Sequence, residues 1–268
     1  MSSTNSLEYL IKHKLLSLPV LASEHGANID DLIVYVHALM AALFVGWFGY
    51  FLYTLVRFRQ SRNPKADYVG VRSHFSNYLE GGVAIVEVIL LVGFSIPLWA
   101  KVVSNPPAAD QATVINVIGR QFNWNGHYAG VDGKMGRQDP ALSTATDPFG
   151  VDRKGDPDGA DDVVVQGNFV VPVGRDVLVS VGSLDVIHSF AVRAMRVCQD
   201  AIPGLRIPTW FKPIREGEYK ITCAQLCGNS HYGMFGTLKV VSQADYDKWL
   251  AEQSAKAKGA AAAPVSYE

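Results

Sequence analysis

The chain has 268 residues, with 24 Lys and Arg against 25 Asp and Glu, for a formal net charge of -1. That balance excludes a strongly basic nucleic-acid surface, and no nucleic-acid partner is expected. Hydrophobic residues make up 49% of the sequence, but they are unevenly spread, so a soluble core does not account for all of them.

Residues 1–30 make a poor secretory signal, because Lys12, His13 and Lys14 interrupt the apolar part. They read as an external, amphipathic lead-in. Leu32 to Val56 is an uncharged apolar run, and Gly81 to Ala100 is apolar apart from Glu87 and Ser95. Each can cross a bilayer as a helix, which takes about 20 residues. A transmembrane hairpin is therefore expected over residues 31–104, with helices at about 32–57 and 81–103. Between them lie Arg57, Arg59, Arg62, Lys65 and Arg72. Basic loops stay cytoplasmic, which puts the N-terminus and everything after Lys101 on the outer side. His37, in the first span, reads as a packed, hydrogen-bonded residue.

After Lys101 the pattern changes. Asn105-Pro-Pro-Ala-Ala-Asp is a linker. Short β-branched runs follow at 112–119, 169–173, 177–181, 186–192, 218–222 and 236–241, separated by Gly, Pro and Asp. This spacing predicts an all-β sandwich or barrel over residues 105–242. Gly130 to Asp162 is polar and rich in Gly, Asp and Pro, and reads as an inserted, solvated or partner-docking loop. Asp156, Asp158, Asp161 and Asp162 do not have the spacing of a twelve-residue calcium loop. Residues 243–253 suit a short helix, and residues 254–268 a disordered tail.

The chemistry concentrates in Cys223-Ala-Gln-Leu-Cys227-Gly-Asn-Ser-His231-Tyr-Gly-Met234, with His188 upstream. Two thiols, two imidazoles and a thioether form a soft donor set that suits copper. Two thiolates at this spacing can bridge two copper ions. His188 with Met234, and His231 with the Gln225 carbonyl, would then complete one ion each. A disulfide would leave His231 and Met234 without a role. A closed zinc site would accept Cys, Cys, His and His but not explain the methionine. Cys198 reads as a free cysteine.

An apolar hairpin followed by an outer β domain with C-x3-C-x3-H-x2-M resembles subunit II of the cytochrome c oxidases. The resemblance runs from about Leu32 to Leu250. Asp185-Val-Ile-His188-Ser-Phe, Gln199-Asp-Ala-Ile-Pro-Gly204 and Gly119-Arg-Gln-Phe-Asn-Trp124 are similar to three further segments of the family, and Glu80 and Pro97 stand where its second helix has a Glu and a Pro. The resemblance implies a cupredoxin fold carrying the dinuclear copper centre called CuA. Its ligands would be His188, Cys223, the Gln225 carbonyl, Cys227, His231 and Met234. It implies partners as well: subunit I with its hemes and CuB, subunit III, lipid, and a cytochrome c as donor. Electrons would pass from the donor to heme a of subunit I, where dioxygen is reduced to water with proton translocation. The setting would be a bacterial plasma membrane, with the β domain periplasmic. No C-x-x-C-H is present, so no covalent heme belongs to this chain.

The chain departs from the family pattern in places. Gln225 stands where a Glu usually supplies a carboxylate to Mg2+, which puts that ion in doubt, since hard cations favour carboxylate oxygen. Phe122 replaces the first Trp of the aromatic segment, implicated in electron uptake, while Trp124 matches the second. Cys198 stands where many members have Lys. With the insertion, these changes point to a donor other than a freely diffusing basic cytochrome c, such as a cytochrome domain held in a larger assembly. Glu80 and Glu87 share one face of the second helix, with Glu87 about 10 Å deeper. Intramembrane carboxylates are usually functional. Glu80 is a candidate for the proton path into subunit I, and Glu87 for a contact with it. A quinol oxidase subunit II would lack the copper ligands. A CuA-bearing nitric oxide reductase subunit would share the site, and a copper-storage protein would favour more exchangeable ligands.

Overall fold

The computed structural model describes residues 7, 10–65, 68–70 and 72–262. The chain divides into two units. One holds residues 28–101 with the segment up to Leu18; the other joins Pro19–Ala27 to the chain from Val102 onward.

In the first unit, a helix spans Gly26–Arg57 and a second spans Phe75–Ser104, both long and apolar enough to cross a bilayer. None of either apolar window is buried, so both leave their side chains open to lipid or to a partner. Each helix begins about six residues earlier than hydropathy marks. Polar residues such as Asn28, Asp31, Ser76 and Asn77 are acceptable in a helix outside the apolar layer, so hydropathy locates the span and not the helix end. Glu80 therefore lies inside the second helix rather than at its start. A π-helical stretch at Ile89–Ser95 precedes Pro97. Proline cannot donate back into the ladder, and a widened turn is one way to absorb that. His37 Nδ1 lies 2.8 Å from the Ile33 carbonyl, so the histidine is hydrogen-bonded as expected, but its side chain is exposed rather than packed.

The second unit is a sandwich of two five-stranded sheets. The strands are β1 (Thr113–Arg120), β2 (Asn123–Tyr128), β3 (Val163–Gln166), β4 (Asn168–Pro172), β5 (Val177–Ser183), β6 (His188–Val192), β7 (Val197–Ala201), β8 (Ile207–Phe211), β9 (Gly217–Cys223) and β10 (Phe235–Val241). The sheet orders are β3-β2-β1-β5-β8 and β4-β10-β9-β6-β7. Pairing is mostly antiparallel, with parallel pairs β1–β5 and β4–β10. Alternating residues, among them Ile115, Val117, Val179, Val181, Phe169, Phe190 and Ile221, meet in one buried cluster. Gly126 lets the Phe169 ring lie against β2; a Cβ there would meet Phe169 Cε1 at 2.5 Å.

Three regions differ from what the sequence pattern suggests. Pro19–Ala27 is not a free lead-in but an edge of the sandwich. Ala22 N–H donates to the Ala194 carbonyl and Ile214 N–H to the Ala22 carbonyl, each at 2.9 Å. The buried Ser23 hydroxyl donates to the Met195 carbonyl at 2.6 Å, and Lys212 pairs with Glu24 at 2.9 Å.

The polar stretch 130–162 is solvated at 131–134 and 139–146, as a loop should be, but it is not structureless. It folds around carboxylates. Asp147 accepts from the Phe149, Gly150 and Val151 N–H groups. Buried Asp161 accepts from Val131 N–H, and buried Asp162 from Gly136 N–H and from His127 Nε2 at 2.6 Å. Phe149 and Val151 then pack on Ile118, on the outer face of β1.

The C-terminal helix runs Gln243–Ala262, longer than expected and through residues read as a disordered tail. Ser242 caps it by accepting from Asp245 N–H at 3.1 Å. Trp249 meets Tyr128 edge-on at 5.3 Å, Ser254 is buried and Lys258 reaches Asp161 at 3.5 Å. These contacts hold an Ala/Lys-rich sequence that is polar by composition. The last residues, 263–268, lie outside the described residues.

Candidate metal centre

Strand ends deliver the donors. His188 opens β6 and Cys223 closes β9, and the two strands pair through Phe190 and Cys223. Beyond Cys223 the chain leaves the sheet, passes Cys227, makes a short turn at His231–Gly233 and returns as β10 just after Met234. A strand end and one tight loop thus bring His188, the two cysteines, His231 and Met234 to one end of the sandwich.

The distances show a single cluster. Cys223 Sγ lies 3.8 Å from Cys227 Sγ, 3.9 Å from His188 Nδ1 and 3.1 Å from the Gln225 carbonyl oxygen. Cys227 Sγ lies 3.5 Å from His231 Nδ1 and 3.8 Å from Met234 Sδ. A disulfide needs sulfurs about 2.05 Å apart, so both cysteines are free thiols. His188, Cys223 and Cys227 offer donor atoms within 4.8 Å of one another, and the Gln225 carbonyl, His231 and Met234 each adjoin one of the two sulfurs. His188 and Met234 are fully buried and His231 is half-buried, so the cluster opens on the histidine of the loop.

The surroundings prepare this set for a soft cation. Asp185 Oδ1 accepts from His188 Nε2 at 2.8 Å. A carboxylate can only accept, so the proton sits on Nε2 and the Nδ1 lone pair faces the Cys223 thiol. Burial alone would raise the Asp185 carboxyl. Hydrogen bonds from the Gln121 N–H, His188 and the Val186 N–H outweigh it and hold Asp185 below the usual range. Burial, reinforced by the neighbouring Cys223 thiol, pushes the Cys227 thiol up to about 11. A metal must therefore displace protons to bind here.

The aromatic positions divide. Trp124 is buried, edge-on to His188 at 5.9 Å and to Phe190 at 5.3 Å. Phe122 is partly buried and lies over Gly228 of the cysteine loop. Glu80 and Glu87 lie on the second helix, which belongs to the first unit, while the donor cluster belongs to the second. Cys198 is exposed on β7, 3.6 Å from the Ser189 hydroxyl. Sequence reasoning missed the roles of Asp185 and Gln121. A carboxylate three residues before a ligating histidine was the available signal for the first, while nothing in the local sequence marks the second.

Comparison with known proteins decides the family. The family model for the periplasmic domain of cytochrome c oxidase subunit II matches residues 113–241. The alternative cytochrome c oxidase subunit 2 of Bradyrhizobium diazoefficiens is 32% identical, over 84% of this chain and 80% of its own length. The chain belongs to the cytochrome c oxidase subunit II family. Cytochrome c oxidase subunit 2 of Cereibacter sphaeroides is also 32% identical, covering 85% of this chain and 77% of that one. The crystal structure of the periplasmic domain of subunit II of cytochrome oxidase of Bradyrhizobium japonicum is 30% identical. It covers 57% of this chain and 99% of its own, at a TM-score of 0.41. The chain is thus a cytochrome c oxidase subunit II, with a His/Cys/Cys cluster fit for a metal.

Proposed function

We propose that this subunit takes up electrons from a cytochrome c and delivers them to heme a of subunit I through a dinuclear CuA centre. The observation that carries the reading is the convergence of two free thiols, 3.8 Å apart, with two imidazoles and a thioether. His188 and Met234 would hold one copper and His231 with the Gln225 carbonyl the other, with Cys223 and Cys227 shared. When bound, such a pair supplies a one-electron couple spread over both metals.

The chain's own residues set the conditions. Asp185 fixes the His188 ring and leaves Nδ1 free to ligate. The buried wall of Trp124, Phe190 and Met234 keeps water away from the thiolates. The sandwich holds the ligands rigidly, which favours low reorganisation on electron exchange. Phe122 and Trp124 are the proposed route of electron uptake, with Phe122 over the cysteine loop and Trp124 against His188.

Gln225 offers its carbonyl to copper, but its amide side chain gives a hard cation no anionic oxygen, so Mg2+ is not proposed here. The basic segment Arg57–Arg72 orients the hairpin in a bacterial plasma membrane, with the β unit periplasmic. Subunit I and subunit III are the expected neighbours. A cytochrome c domain held within a larger assembly fits the altered donor-facing residues Phe122 and Cys198. Glu80 is proposed to feed protons to subunit I, with Glu87 contacting it; unchanged turnover and proton uptake in Glu80→Gln would discard the role of Glu80.

The deciding experiment is EPR and visible spectroscopy of the copper-loaded full-length chain in detergent. The expected result is a purple species with hyperfine structure from two equivalent coppers. A single-copper spectrum overturns the reading.

A further inference from the structure

We propose that Gln121 is a positioning residue that ties the histidine arm of the metal centre to its cysteine loop. This rests on the dicopper reading and deepens it. Gln121 stands in the turn between β1 and β2, far in sequence from every proposed ligand. Its two ends grip two different parts of the site. The backbone N–H donates to Asp185 Oδ2 at 2.6 Å, and the other oxygen of that carboxylate holds His188 Nε2 at 2.8 Å. The side-chain amide donates through Nε2 to the Cys227 carbonyl at 2.7 Å. A path of hydrogen bonds therefore runs from His188 through Asp185 and Gln121 to Cys227.

The place of that path matters. Pairing of β6 with β9 fixes Cys223 relative to His188, but β9 ends at Cys223. Cys227 lies off the sheet, and the Gln121 amide takes hold there. A shift of the Cys227 backbone would carry its Sγ relative to His231 and Met234, which lie at 3.5 and 3.8 Å. Two coppers that share one odd electron equally need their two halves held in fixed relation, and Gln121 bridges those halves without offering a donor atom to either.

The next residue in the loop is shaped to receive it. Gly228 has φ +135°, a conformation side chains rarely adopt. A Cβ there would lie 2.8 Å from Gln121 Nε2 and 3.0 Å from Phe122 Cζ. Glycine at 228 keeps open the seat into which Gln121 and Phe122 fit.

The test uses the full-length chain in detergent, with and without copper. Gln121→Leu keeps most of the volume and removes the donor; the position is exposed, so the fold survives. The expected outcome is an unchanged thermal transition, copper affinity reduced roughly tenfold against a competing chelator, and unequal hyperfine couplings in place of equal ones. In the copper-free chain, backbone amides of residues 227–234 exchange faster than in the unaltered chain. Gly228→Ala presses on the same contact from the other side and gives the same changes. The double variant adds little to the larger single effect, because both act on one interaction. If Gln121→Leu reproduces the parent spectrum, affinity and exchange, the joint is overturned. Absence of a dicopper signal in the unaltered chain would instead sink the dicopper reading. The exchange comparison then still decides the joint, and unchanged exchange overturns it.

Discussion

The Cys223–Met234 loop and the 130–162 insertion are both irregular chain between strands, and both are dense in groups able to bind cations. They treat those groups in opposite ways. In the insertion, the carboxylates of Asp147, Asp161 and Asp162 are taken up by backbone N–H groups and by His127. These bonds fold the segment and give the aspartates a structural role, though Asp162 Oδ1 is left buried without a partner. Around the cysteine loop, sulfur and nitrogen atoms crowd together at 3.5–3.9 Å, long and weak contacts for the thiols. Polar density by itself does not mark a metal site. A crowd of soft donors that hold one another only weakly does.

That contrast can be broken by substitution. Cys223→Ser removes a bridging thiolate and should abolish the dicopper EPR signal altogether. The thermal transition should barely move, since a serine fits the same space. Asp162→Ala should do the reverse. It strands a buried imidazole nitrogen and the Gly136 N–H, and each buried donor left unsatisfied costs about 1–3 kcal/mol. The melting temperature should drop steeply while the copper spectrum of the surviving folded protein stays intact. If Asp162→Ala bleaches the copper signal at temperatures where the fold persists, the two regions are coupled and the contrast fails.

Acid sharpens the comparison. The raised Cys227 thiol holds its proton up to about 11, so throughout the neutral range copper must displace it. Affinity should fall as pH falls, by about tenfold per pH unit for each proton released. A chelator competition corrected for the chelator's own protonation reads this slope directly; a flat profile would mean that thiolates are not the ligands. Ser23→Ala removes a buried hydroxyl and leaves the Met195 carbonyl unsatisfied, at a cost of about 1–3 kcal/mol, visible in the thermal transition and not in the copper spectrum. Cys198→Ser, at an exposed position outside the donor cluster, should change stability by less than about 0.5 kcal/mol and leave the spectrum alone.

Much of this was legible from residue order. The donor set could be read because Cys223, Cys227, His231 and Met234 fall in one short loop and their side chains are chemically unusual. The strands β1, β4, β5, β6, β9 and β10 could be read because short runs rich in β-branched and apolar residues, set between Gly, Pro and Asp, mark them. The strand β2 could not. Its sequence, Asn-Trp-Asn-Gly-His-Tyr, is polar at alternate positions, yet Asn125 and His127 are fully buried. The polar face of β2 lies under the insertion, which supplies Asp162 to His127, so local polarity misreports burial. The same holds for Pro19–Ala27 and for the C-terminal helix, whose order comes from partners distant in sequence. The Gln121 link is invisible locally for a similar reason, since its meaning lies in the carbonyl it reaches 106 residues later.

The docking of Pro19–Ala27 on the sandwich has a consequence for how the protein is made. Ser23 bonds to a residue 172 positions further along. This segment leaves the ribosome well before its partner does. At typical elongation rates the interval is on the order of ten to thirty seconds. For that time an edge strand and its unpaired N–H groups stand without the surface that will cover them, as contacts of high sequence separation always do. The apolar hairpin lies between the two partners in sequence, so it emerges while this clasp is still open.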